Sequence, residues 1–449
     1  MLLDVLLAFG LIVSTASQLR PQGVSIGPGE ICLALWVLVM VCRELYRLGP
    51  PLTPPLTKLL IFWLVFTIAQ GLGTMTAYVI GDRHDFHLFM HDVLAYPLLA
   101  AVSCLSMVEP GAGPRLRRVA WLLVIFGTIG LALQLAEIWV DIDVLGIKPW
   151  YWNRFRGWSA NPNQLALLCA ALGLLALYLA ETAGGFGRKV AALACAILPV
   201  YVGRLSKSDT FAILLVGSIP LFAALKVRTW CSSNHGAMTI RTAFAWLVIL
   251  AVPAMAVAGG ILLPSIKTGV EDLARDMAKG NEVDSEHTAS IRLHSWHEAL
   301  RRGFESGMLG LGPGPHIEIP FSIIQGRLNP SADPEDIEHP KVNGTANFEA
   351  HDTLLDLFTQ CGLIGVLSVL WLGAITVQGS FRARLDGLTT MLCGLAVFSV
   401  FHLIVRHPIF WFAISLSLVA TDAARRKSVV RVGSPARVGS SRSTTALVR

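Results

Sequence analysis

Apolar runs of membrane-spanning length recur from one end of the chain to the other, separated by short polar turns and interrupted once by a long polar stretch. When helical, runs of this length match the hydrocarbon thickness of a bilayer. The pattern predicts about twelve transmembrane helices, near residues 3–19, 25–42, 57–80, 88–107, 119–140, 163–181, 190–203, 211–227, 243–263, 353–378, 387–405 and 408–423. Residues 1–263 thus hold nine spans and residues 353–423 three, with one large polar loop, 264–352, between them. Inside that loop, Thr288 to Phe304 predicts an amphipathic helix. Leu293, Trp296, Leu300 and Phe304 recur at steps of three and four, while His294, His297 and Arg301 share another face. Gly310, Gly312, Pro313, Gly314 and Pro315 end it. Such a helix would lie on the membrane surface or cap a cavity.

Composition narrows the class. Of 449 residues, 54% are hydrophobic and only 15% charged, more apolar surface than one soluble domain can bury. The short alternating strands of a transmembrane barrel are missing, so the expected fold is an all-α polytopic membrane protein. Charge then orients it. Basic residues gather in alternate loops: Arg43, Arg47 and Lys58; Arg115, Arg117 and Arg118; Arg188 and Lys189; Lys226, Arg228 and Arg241; Arg382 and Arg384. The tail 424–449 is basic, carries no acidic residue and reads as disordered. By the positive-inside rule these segments and both termini are cytoplasmic. The 264–352 loop, with fifteen acidic residues against eight basic, falls on the outer side. The first apolar run lacks a basic leader and a small-residue cleavage site and reads as a retained helix. The eight cysteines lie mostly within apolar runs and form no CxxC pair, so neither a disulfide framework nor a metal site is predicted. No nucleotide fingerprint appears, and neither a cofactor nor a nucleic-acid partner is expected.

Several outward residues are chemically conspicuous. Arg154 and Arg156 sit in WNRFRGWSANPNQ, Arg204 and Lys207 in GRLSKSDTF, and Arg292 early on the amphipathic helix. Planar guanidinium forks suit paired phosphate oxygens, and several together would hold a diphosphate; each alone would equally serve by reaching headgroups or an acid. Asn161-Pro162-Asn163 opens the sixth span as a helix cap, with exposed amides that attract an anion; capping alone also explains it. His351 marks the return from polar loop to apolar span, where an imidazole titrates near neutrality. His91, Asp92, Glu137, Asp356 and His402 are polar residues in or near spans, where such groups mark a cavity or pathway.

His351, ten further residues, Gly362, two more and Gly365 together resemble the signature that closes the large periplasmic loop of the O-antigen ligase and polymerase superfamily. Three other segments agree in order: RGWSANPNQLAL with its Arg-Gly and Asn-Pro-Asn helix start, IRLHSWHEALRRGFESGMLGLGPGPH with its Arg, Trp and Gly-Pro-Gly loop, and LSKSDTFAILLVG with its Ser-Arg turn. The resemblance covers most of the chain from about residue 120. It implies a GT-C-like membrane glycosyltransferase in a bacterial inner membrane, its site facing the periplasm. Such an enzyme takes a glycan from undecaprenyl diphosphate and joins it to a sugar hydroxyl, on an acceptor glycan or on lipid A–core, without a metal. Carried over, His351 would be the base or acceptor-orienting group and Arg292 would bind the diphosphate, assisted by Arg156. Arg204, Lys207, Asn163 and Asp352 would complete the substrate site. Two positions depart from the pattern. Asp352 stands where Asn, Ser or Gln is usual, and would raise the basicity of His351 or merely solvate the loop. Asp209 stands where the turn carries arginine, and Arg204 or Lys207 would substitute. Ligase and polymerase share these motifs. A flippase or transporter, or a noncatalytic partner in polysaccharide export, are the competing readings.

Overall fold

In the computed structural model, the described residues are 1–20, 26–47, 52–82, 86–108, 111–140, 147–233, 292–320 and 345–433. They fold as a helical membrane bundle. Six helices are long and apolar enough to cross a bilayer: Pro54–Ile80, Ala112–Ile138, Pro162–Thr182, Phe186–Leu205, Asp209–Cys231 and Thr353–Arg382. In chain order the helices are α1 (Leu2–Val13), α2 (Pro28–Tyr46), α3 (Pro54–Ile80), α4 (Phe86–Leu105), α5 (Ala112–Val140), α6 (Pro162–Thr182), α7 (Phe186–Leu205), α8 (Asp209–Ser233), α9 (residues 292–305), α10 (Thr353–Arg382), α11 (Asp386–Ser399) and α12 (Pro408–Gly433). Two small antiparallel pairs join them, β1 (Trp150–Tyr151) with β2 (Arg154–Phe155), and β3 (Ile317–Pro320) with β4 (Thr345–Phe348).

Some expected spans are shorter than the apolar runs that suggested them. The run 3–19 yields α1 of twelve residues, about 18 Å of helix. Ser14 and Thr15 turn their hydroxyls onto the carbonyls of Leu11 and Ile12, and the chain continues as a 3-10 turn at Ser17–Leu19. The run 387–405 gives α11 of fourteen residues, ending at Ser399; residues 400–407 form a loop with a short 3-10 turn. The run 353–378 extends to Arg382, and it is broken within. The expected span 243–263 lies outside the described residues, as does most of the 264–352 loop.

Two apolar clusters hold the bundle. The larger surrounds α6, whose Leu165–Ala176 stretch is almost wholly buried against α1, α5, α7, α11 and α12. The smaller joins α3, α4, α10 and α12 through stacked aromatics, with the Trp63 and Trp411 rings 4.3 Å apart and Phe62 and Phe66 beside them. One end of the bundle is closed by buried acids and the basic residues of alternate loops. Asp4 pairs with Arg115 and Arg118 at 3.3 and 3.1 Å, Lys226 with Asp386 at 3.0 Å and also with Glu181, and Arg117 donates to the Thr182 carbonyl. The residues of chemical interest lie at the other end.

The break in α10 organises that end. Gly362 adopts φ 60°, ψ −160°, a left-handed conformation that interrupts the helical ladder. The segment after α9 fills the gap. Leu311 N donates to Thr359 O at 2.7 Å, Gly312 N to Gln360 O at 2.8 Å, and Leu363 N to Met308 O at 2.9 Å. Backbone freed at depth in a membrane must find partners within the protein, and this inserted loop supplies them. Contact is tight: a Cβ on Gly310, itself at φ 87°, would stand 2.5 Å from Gln360 O, and one on Gly73 of α3 would meet the same oxygen at 2.5 Å.

Candidate functional site

The segment Glu349–Thr353 is fixed on both sides of His351. Ala350 is fully buried; its N–H donates to Asp356 Oδ1 at 2.6 Å and its carbonyl accepts from Trp296 Nε1 at 3.1 Å. Asp352 caps α10, its Oδ1 accepting from Leu354 N and Leu355 N at 2.9 Å each. His351, between these two anchors, is exposed and takes φ 54°, uncommon for a non-glycine residue. The backbone is therefore held so that this imidazole is presented outward. Asp352 is accounted for by its cap. Burial raises its carboxyl above the usual range, opposed by the two backbone donors.

A second loop is stapled alongside. Thr353 Oγ1 donates to His402 O at 2.5 Å and accepts from Ile404 N at 3.1 Å. Arg406 bridges Glu349 and the buried Asp92, the latter at 2.5 Å, while Asp92 also meets His91 Nδ1 at 3.1 Å. Burial opposes the Arg406 charge, yet Asp92 and Glu349 hold its guanidinium more firmly protonated than usual. Trp411 Nε1 fixes the same loop by donating to Val405 O at 2.7 Å.

His402 reports on what surrounds it. Its Nε2 is buried with no hydrogen-bond partner among the described residues, and its ring lies 4.8 Å from that of Phe398. Burial pushes this imidazole down to about 3, and its electrostatic neighbours His351, Arg292, His407 and Arg154 add to the effect. The guanidinium groups of Arg292 and Arg154, from two separate segments, thus make its surroundings cationic. Arg154 is held by Ser206 O at 3.1 Å and by Asn163 Oδ1 at 2.9 Å, which ties it to the ends of α7 and α6. In the same turn as Ser206, Arg204 and Lys207 are exposed, Lys207 at φ 48°.

The expected site residues therefore sort as follows. His351 and Arg292 converge electrostatically on His402, and Asn163 orients Arg154. Arg204 and Lys207 stand at the turn that Arg154 grips. Arg156 is occupied otherwise: its Nε donates to Lys148 O at 3.0 Å, its Nη1 to Ala160 O at 3.2 Å, and its guanidinium lies over Tyr151. These bonds shape the 148–160 loop, and the arginine turned to the cationic region is Arg154. His402, a polar residue near the end of the expected span 387–405, lies instead in the loop after α11, with Arg406 beyond it. The helix stops before them because Thr353 takes both a carbonyl and an amide of their loop, a tertiary contact that no local pattern carries. Asp356, also within an apolar run, serves the backbone of Ala350. Glu137 accepts from Trp158 Nε1 at 2.9 and 3.0 Å and so belongs to the 148–160 loop. Among the described residues, no group of three or more His, Cys, Asp or Glu side chains is arranged to hold a metal ion.

In chemical terms, the end of the bundle offers an exposed imidazole on a fixed backbone, and guanidinium groups from two other segments share its electrostatic effect on His402. Such a set can bind a phosphorylated ligand and exchange a proton with it or with a neighbouring hydroxyl. No protein-family model matches the chain, and no curated protein matches it.

Proposed function

We propose that the chain is a membrane glycosyltransferase of the O-antigen ligase or polymerase kind, transferring a glycan from undecaprenyl diphosphate to a sugar hydroxyl. The observation that supports it is that His351, Arg292 and Arg154, from three separate segments, all act electrostatically on His402 at the end of the bundle opposite the basic loops. In this reading about twelve spans form a GT-C-like bundle in a bacterial inner membrane, with the site on the periplasmic face. The donor diphosphate lies against Arg292 and Arg154, with Arg204 and Lys207 at the rim. His351 removes the proton of the acceptor hydroxyl as its oxygen bonds to the anomeric carbon. The bond from that carbon to the diphosphate breaks, and the arginines stabilise the charge left on its oxygens.

A transporter is the second reading, favoured by one specific feature. The break at Gly362 makes α10 a discontinuous helix, a device by which transporters build substrate sites. Purified protein in liposomes loaded with lipid-linked repeat units separates the two. Longer lipid-linked chains, or glycan on added lipid A–core, support the glycosyltransferase; translocated but unaltered repeat units support the transporter.

A further inference from the structure

The surface of α9 is divided three ways, and the division differs from the one its sequence suggests. Ser295, Glu298, Ala299 and Gly303 face inward, Gly303 against the Phe358 ring. The apolar stripe packs on the protein only in part: Trp296 turns in to the Ala350 carbonyl, and the Phe304 ring meets that of Phe358 edge-on at 5.5 Å. Leu293, Leu300 and Phe304 are 65%, 42% and 59% exposed, and at 100° per residue they fall within about 40° of arc. His297, Arg301 and Glu305, also exposed, occupy the next arc, with Arg301 paired to Glu298 and Glu305.

The apolar edge does not end with the helix. Met308 and Leu309 continue it, and the bond from Leu363 N to Met308 O brings it to α10, where Leu363, Ile364 and Leu367 are exposed. Among the described residues α10 is one of six helices long and apolar enough to cross a bilayer, and an exposed apolar flank on such a helix is suited to lipid. A contiguous apolar strip running from the side of a span onto a helix between spans, with a charged edge beyond it, is the arrangement of an interfacial helix.

We infer that α9 is seated in the membrane interface, with Leu293, Leu300 and Phe304 among the acyl chains of the leaflet nearest the candidate site, and His297, Arg301 and Glu305 at the level of headgroups and water. The occupant of the apolar edge is bilayer lipid, because that edge is continuous with the lipid-facing flank of α10. This seat does not depend on the glycosyltransferase reading. It has a consequence for the site, since α9 carries Arg292 and is bonded through Trp296 to the residue before His351. Anchoring α9 fixes both at the depth of the headgroups.

The test uses the full chain in liposomes, with Leu300→Cys, Phe304→Cys and His297→Cys labelled by bimane, and the signal of labelled unaltered protein subtracted. A nitroxide high on the lipid acyl chain should quench bimane at 300 and 304 about threefold more strongly than at 297, and aqueous iodide should show the reverse order. Iodide quenching at 300 and 304, or quenching there by neither agent, would overturn the inference, by showing water or protein against that edge. In the unaltered protein, a diazirine-bearing lipid should mark residues 293–309 well above residues 147–164. Equal marking would also overturn it.

Discussion

Trp296 Nε1 donates a 3.1 Å hydrogen bond to the carbonyl of Ala350, joining α9 to the segment that presents His351. The opposite side of Ala350 is held by Asp356 at 2.6 Å, so one buried residue ties together α9 and the first turn of α10. Trp296→Phe keeps the ring and removes the donor. Glycan transfer should fall by about fivefold, the worth of one hydrogen bond near 1 kcal/mol, with expression and insertion retained. Unchanged transfer would show that this tie does not position His351.

Gly362 and Gly373 lie in the same helix and make opposite demands. A Cβ at 362 would collide with Met308 O in a left-handed conformation, whereas one at 373 meets nothing within 4 Å. Gly362→Ala should cost roughly 3 kcal/mol or prevent assembly, while Gly373→Ala should be neutral or slightly stabilising. Thermal unfolding followed by size-exclusion in detergent distinguishes them, and equal tolerance would rule out the broken α10.

Arg406 sits between Glu349 and the buried Asp92. Arg406→Met removes the cation that both carboxylates share and should destabilise by roughly 3 kcal/mol, with part recovered when Asp92→Asn is added. Arg204→Ala, at an exposed site, should leave the melting temperature unaltered. A melting temperature that stays constant in Arg406→Met would mean the pair contributes nothing.

The loop histidines predict an acid limit. Burial pushes His402 down to about 3 and His407 to about 4, against an ordinary value near 6.5. Their neutral forms belong to the folded state. Stability is complete above the ordinary value; it falls as pH drops below it, because the unfolded chain takes protons the folded chain refuses. The loss continues toward the folded values, at about 1.4 kcal/mol per pH unit for each such group. Between pH 7 and 5, His402→Asn should lose roughly 1–2 kcal/mol less stability than the unaltered protein. Parallel declines in the two would show that His402 is not held neutral.

The parts of this fold legible in the sequence are those set by local chemistry. Asn161 caps α6 as read, its Oδ1 accepting from Asn163 N at 2.8 Å, and α6 begins at Pro162. The helix at 292–305 was legible from spacing. The direction of the α9 stripe was not, since periodicity says which residues share a face. In a bilayer that face can be core or lipid-facing, because both are apolar. The break at Gly362 depends on a loop some fifty residues earlier in the chain inserting into α10. His402 stood out as a polar residue near a span, but its place in a loop did not, because the composition of 400–405 continues a span that tertiary contacts end.

The most direct test incubates purified, reconstituted protein with undecaprenyl-diphosphate-linked repeat units, with and without lipid A–core, and resolves the products by size. The unaltered protein should form new glycosidic bonds, seen as a ladder of lipid-linked chains or as glycan on the core, and His351→Ala should form none. Equal product from His351→Ala, or none from the unaltered protein with either acceptor, would contradict the proposed transfer.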